Sequence, residues 1–421
     1  MTLGLLIFAL ALVAGLYMAW AIGANDVANA MGTSVGSGAL TLFAAIIVAG
    51  VLEFSGAVLI GASVTQTVSK GIVDTTLFEV TGPWGEQGPM LLAVGMLCAL
   101  VGAAGWLHMA TNMGLPVSTT HSIVGAVAGV GVAAFGFSGV DWGKLGQIVA
   151  SWIISPVLGA LLAFASFWAI RHFILSQLDP VRAMVRAAPV ITGVVVAVMV
   201  LSFIFKVLKN RVDAPPLLAA IAVAAGAGIV AAVLTTGVMR TLPPAPQMNP
   251  YAYVERVFAL LQIGTACFVA FAHGANDVAN AVGPLAAVVS LYQTGYTVVS
   301  AEVGVPIWVL VLGGGGIVFG LATYGYKVIA TIGREITEIT PTRGFCAEFG
   351  AATTVLLASS VGMPVSTTHT LVGAVIGVGF ARGIGALNMG IIRNILKSWI
   401  ATVPVAAGVT AVLFLLARTF I

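Results

Sequence analysis

The chain has 421 residues, a net charge of +3 and only 7% charged side chains, against about 25% in an ordinary soluble domain. Its 60% hydrophobic content and mean hydropathy of +1.10 give more apolar surface than soluble domains can hide, so much of the chain must face lipid. That excludes a disordered tail, a coiled coil and a disulfide scaffold, and so few, scattered cations leave no footprint for a nucleic acid.

The predicted elements begin with an apolar run at residues 3 to 22. No basic residue precedes it and it is longer than the apolar core of a signal peptide, so it is expected to stay in the chain. Further spans are predicted at residues 39 to 61, 89 to 110, 121 to 137 and 147 to 170. Two follow at 190 to 205 and 216 to 236, and five more at 257 to 273, 305 to 326, 345 to 360, 369 to 380 and 398 to 417. The three cysteines, Cys98, Cys267 and Cys346, stand far apart in apolar runs and read as small core residues.

Internal repetition organises these elements. Gly-Ala-Asn-Asp-Val-Ala-Asn-Ala stands at Gly23 to Ala30 and again, 251 residues later, at Gly274 to Ala281. Pro-Val-Ser-Thr-Thr-His stands at Pro116 to His121 and, 248 residues later, at Pro364 to His369. Ser151-Trp152-Ile153 returns as Ser398-Trp399-Ile400. Three blocks in one order at nearly one spacing predict two homologous halves, residues 1–170 and 251–421, joined by a connector of two spans at 171–250. Five spans per half with two between them turn the second half upside down. The expected fold is thus an all-α polytopic membrane protein of about 12 transmembrane helices, two inverted-topology repeats with broken helices or re-entrant hairpins. With the N-terminus outside, 11 of the 17 lysines and arginines fall on the cytoplasmic side, so both termini are expected outside a cell (inner) membrane. Lys206, Lys209 and Arg211 fall on the wrong side for this rule.

Each octapeptide sets an acid and two amides in an apolar run, and an intramembrane carboxylate is costly enough to imply function. In a helical turn Asp26 and Asn29 share a face, as do Asn25 and Asn29. Carboxylate and amide oxygens, with backbone carbonyls freed by unwinding at Gly23 or Gly274, are ligands for a hard cation such as Na⁺. The expected cation set is therefore Gly23, Asn25, Asp26, Asn29, Gly274, Asn276, Asp277 and Asn280. A plain polar helix cap is the alternative, but a cap needs one such residue rather than eight identical positions in each half.

The second motif places a proline and hydroxyl residues where a helix would start inside the membrane. Such a terminus attracts anions. Ser118, Thr119 and Thr120, with Ser366, Thr367 and Thr368, are the expected anion cradle, and a simple proline kink is the alternative. Neither motif holds Lys or Arg. An anion beside two aspartates is untenable unless cations accompany it or the acids take protons, so coupling to Na⁺ or H⁺ follows if the motifs meet. Glu53, Gln262 and Glu348 are accessory candidates. His273, just upstream of the second octapeptide, stands level with Gln262, and His121 and His369 read as supports. No nucleophile with a paired base and no His/Cys metal cluster is present, so no enzyme and no resident cofactor is expected.

On these residues the chain resembles the inorganic phosphate transporter family, whose sodium-coupled members include the type III sodium-phosphate cotransporters. The likeness covers both halves. The octapeptide and its continuation Gly32-Thr33-Ser34-Val35-Gly36-Ser37-Gly38 are similar to the sodium-coupled branch. The resemblance implies that Asp26 and Asp277 with their asparagines bind sodium, that the two hydroxyl triads cradle phosphate, and that Glu53 and Glu348 match functional glutamates. The first-half counterpart of Glu348 is apolar, near Met96 to Leu100, so the acid has no symmetric partner. The expected function is sodium-coupled symport of inorganic phosphate by alternating access. Proton-coupled phosphate or sulfate symport is the alternative, followed by an anion channel. Expected partners are phosphate, Na⁺ and the lipid bilayer, and a homodimer is open.

Overall fold

The computed structural model describes residues 2–68, 72–207, 216–241, 249–299, 304–360 and 365–421. Pro364, Lys70, Lys209 and Arg211 lie outside the described residues, as does the side chain of Lys206. Thirteen α-helices and no named strand occur among the described residues. They are α1 (Leu3–Gly36), α2 (Leu42–Val68), α3 (Gly88–Asn112), α4 (Thr119–Phe135), α5 (Trp142–Ile170), α6 (Pro180–Val207) and α7 (Leu217–Thr241). The rest are α8 (Pro250–Gln293), α9 (Ile307–Tyr324), α10 (Tyr326–Ala330), α11 (Pro341–Ser360), α12 (Thr367–Arg382) and α13 (Met389–Ala417).

Helix is the form lipid demands, because it satisfies its own backbone polar groups. Ten helices among the described residues are long and apolar enough to cross a bilayer, where about 12 were expected. The predicted spans at 345 to 360 and 369 to 380 are α11 and α12, which fall outside that set. At 16 residues and about 1.5 Å of rise per residue, α12 is shorter than a hydrocarbon core of about 30 Å.

The chain breaks where the hydroxyl motifs stand. After Asn112 the backbone leaves α3 with Gly114 at φ +67°, a left-handed conformation that glycine adopts without strain. It restarts as α4 at Thr119 with Ser118 as N-cap. Ser366 caps α12 in the same way. Each cap hydroxyl accepts from the backbone N–H three residues on, His121 and His369, at 3.2 Å, a contribution of about 1 kcal/mol per cap.

The octapeptides behave differently from the expectation. α1 and α8 run unbroken through Gly23 and Gly274, so no carbonyl is freed there. The glycines serve packing instead. A methyl group at Gly23 would lie 1.9 Å from Ile317 O, and one at Gly274 would lie 2.1 Å from Glu53 O, so only glycine lets α1 approach α9 and α8 approach α2 this closely. With the glycines pressed against neighbouring backbone, each helix keeps its own hydrogen bonds through the motif.

The same crossing recurs between other helices. α4 packs on α13 and α12 on α5. Gly125 faces Val403 O and Gly373 faces Pro156 O across these contacts. Each interrupted helix is thus gripped by a long helix from the other half of the chain.

Candidate functional site

Midway along α1 and α8 the polar residues of the octapeptides meet the starts of α4 and α12. Asp26, Asn29, Asp277 and Asn280 are all buried. From α1, Asn29 Nδ2 donates to Asp26 Oδ1 at 3.1 Å and to Thr368 Oγ1 at 2.8 Å. Thr368 Oγ1 donates in turn to Asp26 Oδ1 at 3.1 Å. From α8, Asn280 Nδ2 reaches Thr119 Oγ1 at 3.2 Å and Thr120 Oγ1 at 3.3 Å, and Thr367 Oγ1 donates to Asp277 Oδ2 at 3.4 Å. The acid of each octapeptide therefore meets the hydroxyls of α12, while the second octapeptide's asparagine meets those of α4. The two motifs thus meet in one buried cluster.

Not every expected residue points there. Asn25 turns to the α3–α4 connection: its Nδ2 donates to Thr111 Oγ1 at 2.9 Å and Leu115 O at 3.1 Å, and its Oδ1 accepts from Val117 N at 3.1 Å. It ties α1 to that connection instead of joining Asn29 at Asp26 and Thr368. Asn276 Nδ2 donates to Asp277 Oδ1 at 2.8 Å. Ser118 and Ser366 are occupied as caps. Gly23 and Gly274 serve helix contact, as described above.

His273 lies at the centre of the charges. One turn before Asp277 on α8, its Nε2 is 2.7 Å from Asp277 Oδ2 and 3.8 Å from Asp26 Oδ2, and its Nδ1 is 3.3 Å from Glu53 Oε1. Asp26, His273 and Asp277 each offer an atom within 4.8 Å of the others, an arrangement that could hold a metal ion. Asp26 Oδ2, Asn29 Oδ1 and Glu53 Oε2 are buried and accept no hydrogen bond. Open oxygen lone pairs beside carboxylates suit a hard cation. Among the described residues no lysine or arginine is buried. A cavity of about 50 Å³, lined by Asn29, Ser202, His273 and Thr367 with apolar neighbours such as Phe268 and Leu371, adjoins this cluster.

Glu348 and Gln262 form a separate centre. Thr33 and Ser34 donate to Glu348 Oε1 at 2.6 and 2.9 Å, and Gln262 Nε2 donates to the same oxygen at 3.2 Å. Thr265 donates to Oε2 in a short contact. Four donors satisfy this buried carboxylate, whereas Glu53 Oε2 has none. The position matching Glu348 at the 248-residue spacing is Leu100, and those matching Gln262 and Thr265 are Ala11 and Ala14, so the polar centre is built once. Glu53 and His273 are likewise unmatched. Ile317 occupies against Gly23 the place Glu53 holds against Gly274, and Ile22 precedes the first octapeptide where His273 precedes the second.

Behind the helix starts, His121 stacks on Trp152 with ring centroids 3.4 Å apart, and His369 on Trp399 at 3.6 Å. The two imidazoles meet edge to face at 4.2 Å. Trp399 Nε1 donates to Pro116 O at 3.0 Å. The repeated histidines and tryptophans are thus the support of the two helix starts.

Comparison with known proteins places the chain among transporters. A profile described as the phosphate transporter family matches residues 22–410. A Pyrococcus abyssi protein provisionally named a phosphate permease is 48% identical over 405 residues, 96% of each chain. The protein named inorganic phosphate transporter 2-1, chloroplastic, of Arabidopsis thaliana is 45% identical over 93% of this chain and 69% of its own. A solved structure titled the sodium-dependent phosphate transporter superposes with a TM-score of 0.87 at 42% identity, covering 99% of this chain and 100% of that one. With its many apolar helices and its match across nearly the whole length, the chain is a multi-pass membrane protein that belongs to the phosphate transporter family, whose members are transporters rather than enzymes.

Proposed function

We propose that the chain is a symporter that carries inorganic phosphate across the cell membrane together with Na⁺, by alternating access. The observation that carries this reading is the meeting of the hydroxyl-bearing starts of α4 and α12 with Asp26, Asn29, Asp277 and Asn280 in one buried site. An oxyanion there receives hydrogen bonds from Thr119, Thr120, Thr367 and Thr368 and from backbone N–H groups at two helix starts. Those partial charges do not offset Asp26, Asp277 and Glu53, and His273 supplies at most one positive charge. Bound cations bring the site near neutrality, with Asp26 Oδ2, Asn29 Oδ1 and Asp277 as their ligands. The name of the structural neighbour supports Na⁺ as that cation.

In this reading residues 1–170 and 251–421 are inverted repeats around the shared site, with 171–250 as a connector and both termini outside. Binding at the joint between repeats is the usual geometry of such carriers. Glu348 and Gln262 act as an accessory centre on the cation's route. The deciding experiment is uptake of radiolabelled phosphate into proteoliposomes under imposed Na⁺ or H⁺ gradients. Saturable uptake that follows the Na⁺ gradient is expected. Uptake that follows only the pH gradient assigns H⁺ as the driver, and flux without saturation assigns a channel.

A further inference from the structure

The bend between α5 and α6 joins two membrane-crossing segments, Trp142–Leu175 and Pro180–Phe205, and so lies at a membrane surface. A π-helical turn, Arg171–Leu175, ends the first segment. Between it and α6 opens a groove of about 460 Å³ lined by Phe173, Gln177, Leu178, Asp179, Arg182 and Arg186, with two alanines of α6. Arg182 and Arg186 are exposed and stand one turn apart on α6. Among the described residues neither has a carboxylate within ion-pair distance. The acid in the lining, Asp179, accepts from the backbone N–H of Arg182 at 2.9 Å. Arg171 adds a third exposed cation at the start of the π turn.

Apolar bulk stands beside these charges. Phe173 is 63% exposed and Leu178 fully so, an arrangement that water disfavours and a bilayer edge rewards. The two arginines match a phosphate in charge and, through their planar forks, in shape, while Phe173 and Leu178 match the glycerol and acyl chains that hang from it. A soluble anion would use the first pair and leave the second in water. We propose that this groove binds the phosphodiester headgroup of an anionic phospholipid. The lipid fixes the start of α6, the helix whose Ser202 lines the cavity beside Asn29, His273 and Thr367.

The test is native mass spectrometry of the purified full chain in mixed micelles containing phosphatidylglycerol or phosphatidylcholine. Retention of phosphatidylglycerol over phosphatidylcholine is expected. Substitution of Arg182→Gln with Arg186→Gln should weaken it about twenty-five-fold, roughly fivefold per arginine, while Arg393→Gln with Lys397→Gln, an equal loss of charge elsewhere, leaves it intact. If the glutamine pair does not fold, Arg182→Lys with Arg186→Lys is read instead, with about fivefold weakening expected from loss of the fork geometry. Equal retention by wild type and groove variants, or equal weakening in the control pair, overturns the proposal. So does displacement of the lipid by millimolar glycerol phosphate, which makes the ligand a soluble anion. Displacement by an equimolar hexaglutamate peptide overturns it as well and assigns the groove to an acidic protein.

Discussion

Asp26 and Asp277 are both buried in the protein, with different partners. Asp26 Oδ1 takes hydrogen bonds from Asn29 and Thr368 and leaves Oδ2 open, while Asp277 Oδ2 faces His273 and Thr367. Asp26→Asn and Asp277→Asn should each lower Na⁺-driven phosphate uptake at least about tenfold, since a lost charge contact of 1.4 kcal/mol is tenfold in affinity, with folded protein still in the membrane. Normal uptake with unchanged sodium dependence in both variants would remove them from the cation site. Thr368→Val removes a donor to a carboxylate and an acceptor for Asn29, and hydrogen bonds to charged groups contribute about 1.5–3 kcal/mol. Phosphate affinity measured by calorimetry should fall about tenfold to a hundredfold, and an unchanged affinity would exclude Thr368 from the cradle. Ser118→Ala should act on stability instead, costing about 1 kcal/mol as a lost cap. The octapeptide and hydroxyl residues were legible in the sequence because each occurs twice. His273, Thr265, Thr33 and Ser34 become central only in space: the first two are matched by Ile22 and Ala14, so no repetition marks them, and the last two gain meaning from the approach of Glu348.

At the scale of elements, the starts of α4 and α12 fall where proline and hydroxyl residues predict them, because capping chemistry is local and a sequence displays it directly. The continuity of α1 and α8 was not legible. Glycine beside Asn-Asp reads as a break until the carbonyls of Ile317 and Glu53 are seen pressed against Gly23 and Gly274. Gly274→Ala sets a methyl group against a backbone atom that cannot rotate away, and overpacking of this kind costs about 1–3 kcal/mol. Thermal unfolding in detergent should show a clear drop in Tm for Gly274→Ala and little change for Gly264→Ala, whose added methyl group would meet nothing within 4 Å. Equal stability of the two variants would mean that α2 and α8 are not held this closely.

For the whole molecule, the proposed symport predicts a preference for phosphate over sulfate. Phosphate at neutral pH still carries a proton on oxygen, and sulfate does not. A phosphate O–H can share a carboxylate oxygen of Asp26 or Asp277 with a bound cation, whereas a sulfate oxygen is set against lone pairs, a mismatch that discriminates strongly when buried. Uptake of radiolabelled phosphate should therefore survive a large excess of sulfate, and equal competition would overturn this account of selectivity. The interlocking of α4 with α13 and of α12 with α5 has a further consequence, one of timing. The ribosome delivers α4 well before α13, so the glycine face of Gly125 and Gly129, which meets Val403 O and Ala407 O, waits for residues 389–417 to be made. Helix α4 thus lacks this contact until α13 inserts. A chain stopped before Met389 would carry both signature motifs, yet its α4 would lack the contact that α13 makes with it.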